Sequence, residues 1–139
     1  MKDVKIFYVD DDCDDLNIFK DAASEIGVEA NVFDNGYKLL AELEEVNPLN
    51  VLVFADLNMP VINGYELVAA IRKSPKFKSI PIICFSTSQD SQSVDRCKNA
   101  GASLYLQKPS SFQLLIRKIQ HVLKIDWQHL EETDFFCKV

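Results

Sequence analysis

No apolar run in this chain approaches the roughly 20 residues that a membrane-spanning helix needs. Nor do Met1, Lys2 and Asp3 open a secretory signal; they lead straight into a short strand-like segment, so a cytoplasmic address is expected. Positive charge is scarce. Lys plus Arg number 15 against 21 Asp plus Glu, and the net charge of -6 opposes nucleic acid or another polyanion as a main partner. The four cysteines, Cys13, Cys84, Cys97 and Cys137, lack CxxC or metal-type spacing, which points to reduced, structural thiols. There is no repeat, no low-complexity stretch and no linker. With 47% hydrophobic and 26% charged residues the chain can bury a core, which excludes disordered and collagen-like classes.

At 139 residues one compact unit is expected, since a domain commonly spans about 100 to 200. Five short runs rich in β-branched or aromatic residues read as strands: residues 4–9, 30–33, 51–55, 80–85 and 103–106. Between them apolar residues recur at helical spacing: Leu16, Phe19, Ala23 and Ile26; Leu39, Leu40, Leu43 and Val46; Leu67, Val68 and Ile71; and, more weakly, Val94, Cys97 and Ala100. A last helix carries Phe112, Leu115, Ile116, Ile119, Val122 and Leu123. The strands are continuous apolar runs, as in a parallel sheet covered on both faces. The expected fold is therefore α/β: a (βα)5 doubly wound, parallel, five-stranded sheet. Residues 1–125 form this unit; residues 126–139, with Trp127, Leu130, Phe135 and Phe136, form a C-terminal tail too short for an effector domain. So apolar a tail is expected to dock somewhere.

Ligands of open parallel sheets bind beyond the carboxyl ends of the strands. The residues found there are Asp10-Asp11-Asp12 after strand one, Asp56 after strand three, Ser86-Thr87 after strand four and Gln107-Lys108-Pro109 after strand five. Two carboxylates 4 Å apart repel by about 4 kcal/mol at an effective dielectric of 20, so converging aspartates call for a cation. Magnesium fits, because it takes oxygen ligands and keeps waters that a phosphate can replace. A carboxylate nucleophile, a metal, a lysine and a hydroxyl are the parts that phosphoryl transfer requires.

These residues, Tyr8-Val9-Asp10-Asp11-Asp12, Asp56-Leu57-Asn58-Met59-Pro60 with Asn63-Gly64, Ser86, and Lys108-Pro109, resemble a response-regulator receiver domain of flavodoxin-like fold. The likeness runs from Val4 to about Lys124. It implies that Asp56 is the phosphoacceptor and that Asp11, Asp56 and the backbone carbonyl of Asn58 bind magnesium, with Asp10 assisting through water. Lys108 would hold the phosphoryl oxygens, Ser86 would be the switch hydroxyl and Tyr105 the aromatic rotamer switch. Thr87 stands where Ala or Gly is common in the family and would hinder attacking water, giving slow self-dephosphorylation. Asn63 replaces the usual Asp, a mild change. The Lys108-Pro109 bond is often cis in such domains. The implied partners are a sensor histidine kinase or histidine phosphotransfer protein and a downstream target protein, met at the face of the fourth helix, fifth strand and fifth helix. The product would be a signalling phosphoprotein rather than a turnover enzyme.

Competing uses of the same residues are narrower. Asp12, Asp14 and Asp15 also favour a helix start by their charge. Asp10, Asp12 and Asp14 match the first positions of an EF-hand loop, but its glycine and terminal Glu are missing. A haloacid-dehalogenase-like phosphatase would use Asp10 and Asp12, yet needs further acids after a later strand. A phosphorylation-independent binding module would keep the fold and leave the pocket unused. His121 and His129 lack companions at metal or nucleophile spacing and are assigned no role.

Overall fold

Alternation within each strand decides the layering of this chain, whose computed structural model describes residues 3–128 and 135–137. The strands are β1 (Lys5–Val9), β2 (Glu29–Phe33), β3 (Val51–Ala55), β4 (Ile82–Ser86) and β5 (Leu104–Gln107), and the helices are α1 (Cys13–Ile26), α2 (Gly36–Leu43), α3 (Gly64–Lys73), α4 (Ser91–Ala100) and α5 (Phe112–Lys124). A two-residue strand, β6 (Phe136–Cys137), completes a sheet of order β2-β1-β3-β4-β5-β6, all of whose pairings are parallel. Successive strand residues face opposite sides. Ile6, Tyr8, Leu52, Phe54, Ile83, Phe85, Leu104 and Leu106 therefore pack with Leu16, Phe19, Leu115, Ile119 and Val122 of α1 and α5. The opposite set, including Phe7, Val9, Val53, Ala55, Cys84 and Tyr105, packs under α2, α3 and α4 through Leu39, Leu43, Leu67, Val68, Ile71 and Cys97. With both faces covered, β1, β3 and β4 bury nearly every residue, which is why their runs are continuously apolar.

Helix ends follow from single side chains. Asp12 caps α1 by accepting from the Asp14 and Asp15 amides, and Gly27 closes it in a left-handed conformation with φ 86°. Asn63 and Glu66 form a reciprocal capping box at α3, so Asn serves where the family commonly has Asp. The fourth strand begins two residues later than expected because Pro81 has no N–H; it still contributes its carbonyl to Val53. The thiols of Cys13, Cys84 and Cys97 are free.

The expected five strands are all present, and the sixth was not foreseen. It comes from the tail, whose Phe135 is buried and whose Phe136 packs against the core. The docking expected of the tail thus takes place on its own domain, at Phe135 and Phe136 and at Trp127, which packs beside α5. His129 and Leu130 lie outside the described residues. No described helix is long and apolar enough to cross a membrane.

The loop between β3 and α3 is fixed by a close approach. The Gly64 amide donates to the Leu57 carbonyl at 3.0 Å, and a Cβ at Gly64 would lie 2.3 Å from the Asp56 carbonyl oxygen and 2.8 Å from the Leu57 Cα. Both are backbone atoms and cannot swing aside. Gly64→Ala is expected to cost about 1–3 kcal/mol through overpacking and to lower the midpoint in urea unfolding. An unchanged midpoint would show that the loop has slack.

Candidate functional site

Sheet hydrogen bonds carry the aspartates to one rim. The Asp10 amide donates to the Phe33 carbonyl and the Asp56 amide to the Val9 carbonyl, both at 3.1 Å, extending β1 and β3 by one residue each. The Lys108 amide donates to the Ser86 carbonyl at 2.8 Å, which brings the β5 end level with β4. These three anchors place side chains from positions 10, 56 and 108 within contact of one another.

The Lys108 Nζ lies 2.7 Å from Asp10 Oδ2, 3.1 Å from Asp15 Oδ2 and 3.3 Å from Asp56 Oδ1. One ammonium thus faces three carboxylates, two of which are buried: Asp10 is 1% and Asp56 7% exposed. Burial works against the lysine's charge, but the hydrogen bonds to Asp10 and Asp15 and the charges of Asp56 and Asp10 outweigh it and hold the amine above the usual lysine range. Asp56 is pushed up to about 6, first by burial, with Lys108 pulling down and Asp10 pushing up. Asp11 is exposed at the mouth. One carboxylate oxygen each from Asp10, Asp11 and Asp56 lie within 4.8 Å of one another, a hard oxygen set of the kind magnesium takes. Asn58 follows two residues beyond Asp56 in the β3–α3 loop and is exposed.

The remaining expected residues sit around this centre. The Ser86 side chain is buried at the end of β4, and its Oγ accepts from the Ser88 amide at 3.2 Å. Thr87 is exposed. Tyr105 is fully buried beneath α4, and its phenol donates to the Ser88 carbonyl at 2.8 Å. The Lys108-Pro109 bond is trans, as is every peptide bond among the described residues, so the expected cis bond is corrected. The trans form is the lower in energy for X–Pro, and the Lys108 side chain reaches its three carboxylates from it.

Two residues were missed. Asp15 looked like a helix-start acid; it lies in the first turn of α1 but turns back to pair with Lys108. Tyr8, two residues before Asp10 and on the same strand face, is buried and donates to Asp10 Oδ2. Burial and the neighbouring charges of Asp10, Asp15 and Asp56 keep this phenol protonated. A strand period of two was the available signal for Tyr8. Asp12 and Asp14 do behave as helix-start acids, Asp12 as the cap and Asp14 in the first turn.

A doubly wound parallel sheet with buried aspartates and a lysine at its carboxyl rim places the site where such sheets bind ligands, in the arrangement of the receiver domains that the sequence resembles. Comparison with known sequences agrees: the response regulator receiver domain family matches residues 6–120. Chemotaxis protein CheY1 of Helicobacter pylori is 33% identical over 121 residues, covering 86% of this chain and 97% of that protein. A CheY homolog of Campylobacter jejuni subsp. jejuni is 32% identical over 124 residues, covering 86% and 92%. The solved structure of chemotaxis response regulator CheY4 of Vibrio cholerae superposes with a TM-score of 0.77 at 27% identity, covering 86% of this chain and 98% of that one. The chain belongs to the response regulator receiver family of two-component systems, and is by class a signalling phosphoacceptor rather than a turnover enzyme. The phosphatase alternative is not favoured: among the described residues no strand after Lys108 ends in acids.

The raised Asp56 value has a consequence for stability. Its folded-state carboxyl holds a proton more tightly than the ordinary 3.8 of an unfolded chain, so this group favours folding most below about pH 4 and loses that advantage as pH rises through 6. Two units correspond to about 3 kcal/mol at neutral pH, an upper bound given residual solvent contact. In chelator-treated protein, Asp56→Asn should therefore be more stable than wild type by roughly 1–3 kcal/mol at pH 7.5, and its stability should vary less between pH 4 and 7. Urea unfolding across that range checks this; parallel pH curves for the two proteins would contradict it.

Proposed function

We propose that this protein carries a phosphoryl group on Asp56 in a two-component phosphorelay, received from a sensor histidine kinase or histidine phosphotransfer protein. The observation that carries this reading is the convergence of Asp10, Asp15 and Asp56 on Lys108. An Asp56 carboxylate oxygen attacks phosphorus, the phosphorus–nitrogen bond of the donor histidine breaks, and the electron pair leaves with the imidazole nitrogen, giving an acyl phosphate. Lys108, already within 3.3 Å of Asp56, pairs with the phosphoryl oxygens. Asp11, Asp56 and the Asn58 carbonyl would hold magnesium, with Asp10 assisting; when bound, the ion would neutralise charge on the phosphoryl oxygens.

A cleft of about 240 Å³ beside the pocket, lined by Tyr8, Asp15, Ile18, Lys108 and Phe112 among others, supports approach by a protein donor between α1 and α5. Ile18 is 46% exposed there, an apolar side chain available to a partner. Ser86 is the hydroxyl that reaches the phosphoryl group, Tyr105 the aromatic that reports on it, and a downstream target protein reads the result. The receiver unit is residues 1–125, with 126–139 as its tail, acting in the cytoplasm.

Incubation with magnesium and acetyl phosphate or phosphoramidate should add one phosphoryl group per chain, mapped by peptide mass to Asp56. Asp56→Asn should abolish labelling and Lys108→Ala should reduce it at least about tenfold. Labelling elsewhere, or persistent turnover of the donor by Asp56→Asn, would overturn the assignment. Thr87 bears on lifetime. Thr87 follows Ser86 at the end of β4 and is exposed, and a side chain there would hinder attacking water, so Thr87→Ala should shorten the half-life of the phosphorylated form several-fold. Equal half-lives would remove Thr87 from the mechanism.

A further inference from the structure

The tail meets the switch residue directly. Along the outer edge of β5, Tyr105 pairs with Phe136 and Leu106 with Cys137, and the Tyr105 amide donates to the Phe135 carbonyl at 2.8 Å. The Phe136 ring stacks on the Tyr105 ring with centroids 5.6 Å apart and planes at 16°. Beneath it Tyr105 is fully buried and its phenol is held by the Ser88 carbonyl, while the Ser88 amide is held by Ser86 Oγ. Contacts therefore run unbroken from Phe136 through Tyr105 and Ser88 to Ser86, whose carbonyl receives the Lys108 amide.

A two-residue strand is weak on its own and opens at low cost. While it is closed, Phe136 blocks the solvent side of Tyr105, so the ring stays inward. We propose that Phe136 is a positioning residue of the phosphoacceptor site: by stacking on Tyr105 it holds the inward ring and so favours the loaded form of Asp56. The sign follows from preorganisation. An inward Tyr105 holds the Ser88 carbonyl and the Ser88 amide holds Ser86 Oγ, so a fixed ring fixes the turn after β4 beside the pocket and lowers the cost of ordering it when Asp56 is loaded. Tail docking and pocket loading then favour the same arrangement, and each must strengthen the other to the same degree. This rests on the receiver reading above.

The test uses the full chain with magnesium and beryllofluoride, a stable stand-in for the phosphoryl group. Binding is followed by fluorine NMR, and hydrogen exchange is measured at the Tyr105 amide. Phe136→Ala should weaken beryllofluoride binding roughly five-fold or more and speed exchange at Tyr105. Phe136→Tyr should restore both, and Phe136→Leu, which keeps apolar bulk without a flat ring, should fall between. In wild type, loading should slow Tyr105 exchange several-fold. In a Tyr105→Ala background the Phe136→Ala effect on binding should vanish. Equal beryllofluoride affinity in wild type and Phe136→Ala, or an undiminished effect in the Tyr105→Ala background, overturns the inference while leaving the receiver reading intact. Failure of wild type itself to bind beryllofluoride overturns both.

Discussion

The cluster at the sheet rim depends on one partly buried cation holding several anions that would otherwise repel one another. Lys108 stands between Asp10 at the end of β1, Asp15 in the first turn of α1 and Asp56 at the end of β3. Without the ammonium, Asp10 and Asp56 would face each other buried and unpaired, at a cost of several kcal/mol. The lysine offsets one charge of three, and the surplus that remains is what a divalent ion matches. The same surplus, together with burial, leaves Asp56 with a perturbed proton affinity, the property expected of a group selected for chemistry.

The sheet makes this cluster a matter of register. Parallel strands bring all their carboxyl ends to one rim, and single backbone hydrogen bonds from Asp10, Asp56 and Lys108 carry the ladder one step past the regular strands. The side chains at these positions are thereby aimed by rigid elements, while the β3–α3 loop, cinched by the Gly64 approach, lies between Asp56 and α3. On the α1 and α5 side a cluster of rings, Tyr8, Phe19, Phe54 and Phe85, stiffens the floor of the pocket through edge-on and tilted contacts. Tyr8 belongs to both worlds: its ring is in the core and its hydroxyl is on Asp10.

Most of this is legible in the amino-acid sequence. The alternation of five apolar runs with five helical patterns identified the layers, because burial on both faces removes polar residues from strands such as β3 and β4. Asp10, Asp56 and Lys108 were legible because each follows a strand, where the topology must gather them. Asp15 was not, since an acid in the first helical turn has an adequate local explanation and sequence gives no view across to Lys108. Nor was β6 legible: Phe135, Phe136 and Cys137 are too few to show a period, and only proximity to the β5 edge makes them a strand. The trans Lys108-Pro109 bond lies beyond what residue identity reveals, because the two isomers differ by so little energy.

Because the acids already own a counterion, this domain differs from small metalloproteins in which ion and fold stand or fall together. Lys108 is a placeholder: it pairs with Asp10, Asp15 and Asp56 by itself, so the rim is assembled by a side chain of the chain's own. A dication at Asp10, Asp11 and Asp56 would then be a guest of a finished scaffold, and its coming and going would leave the sheet standing.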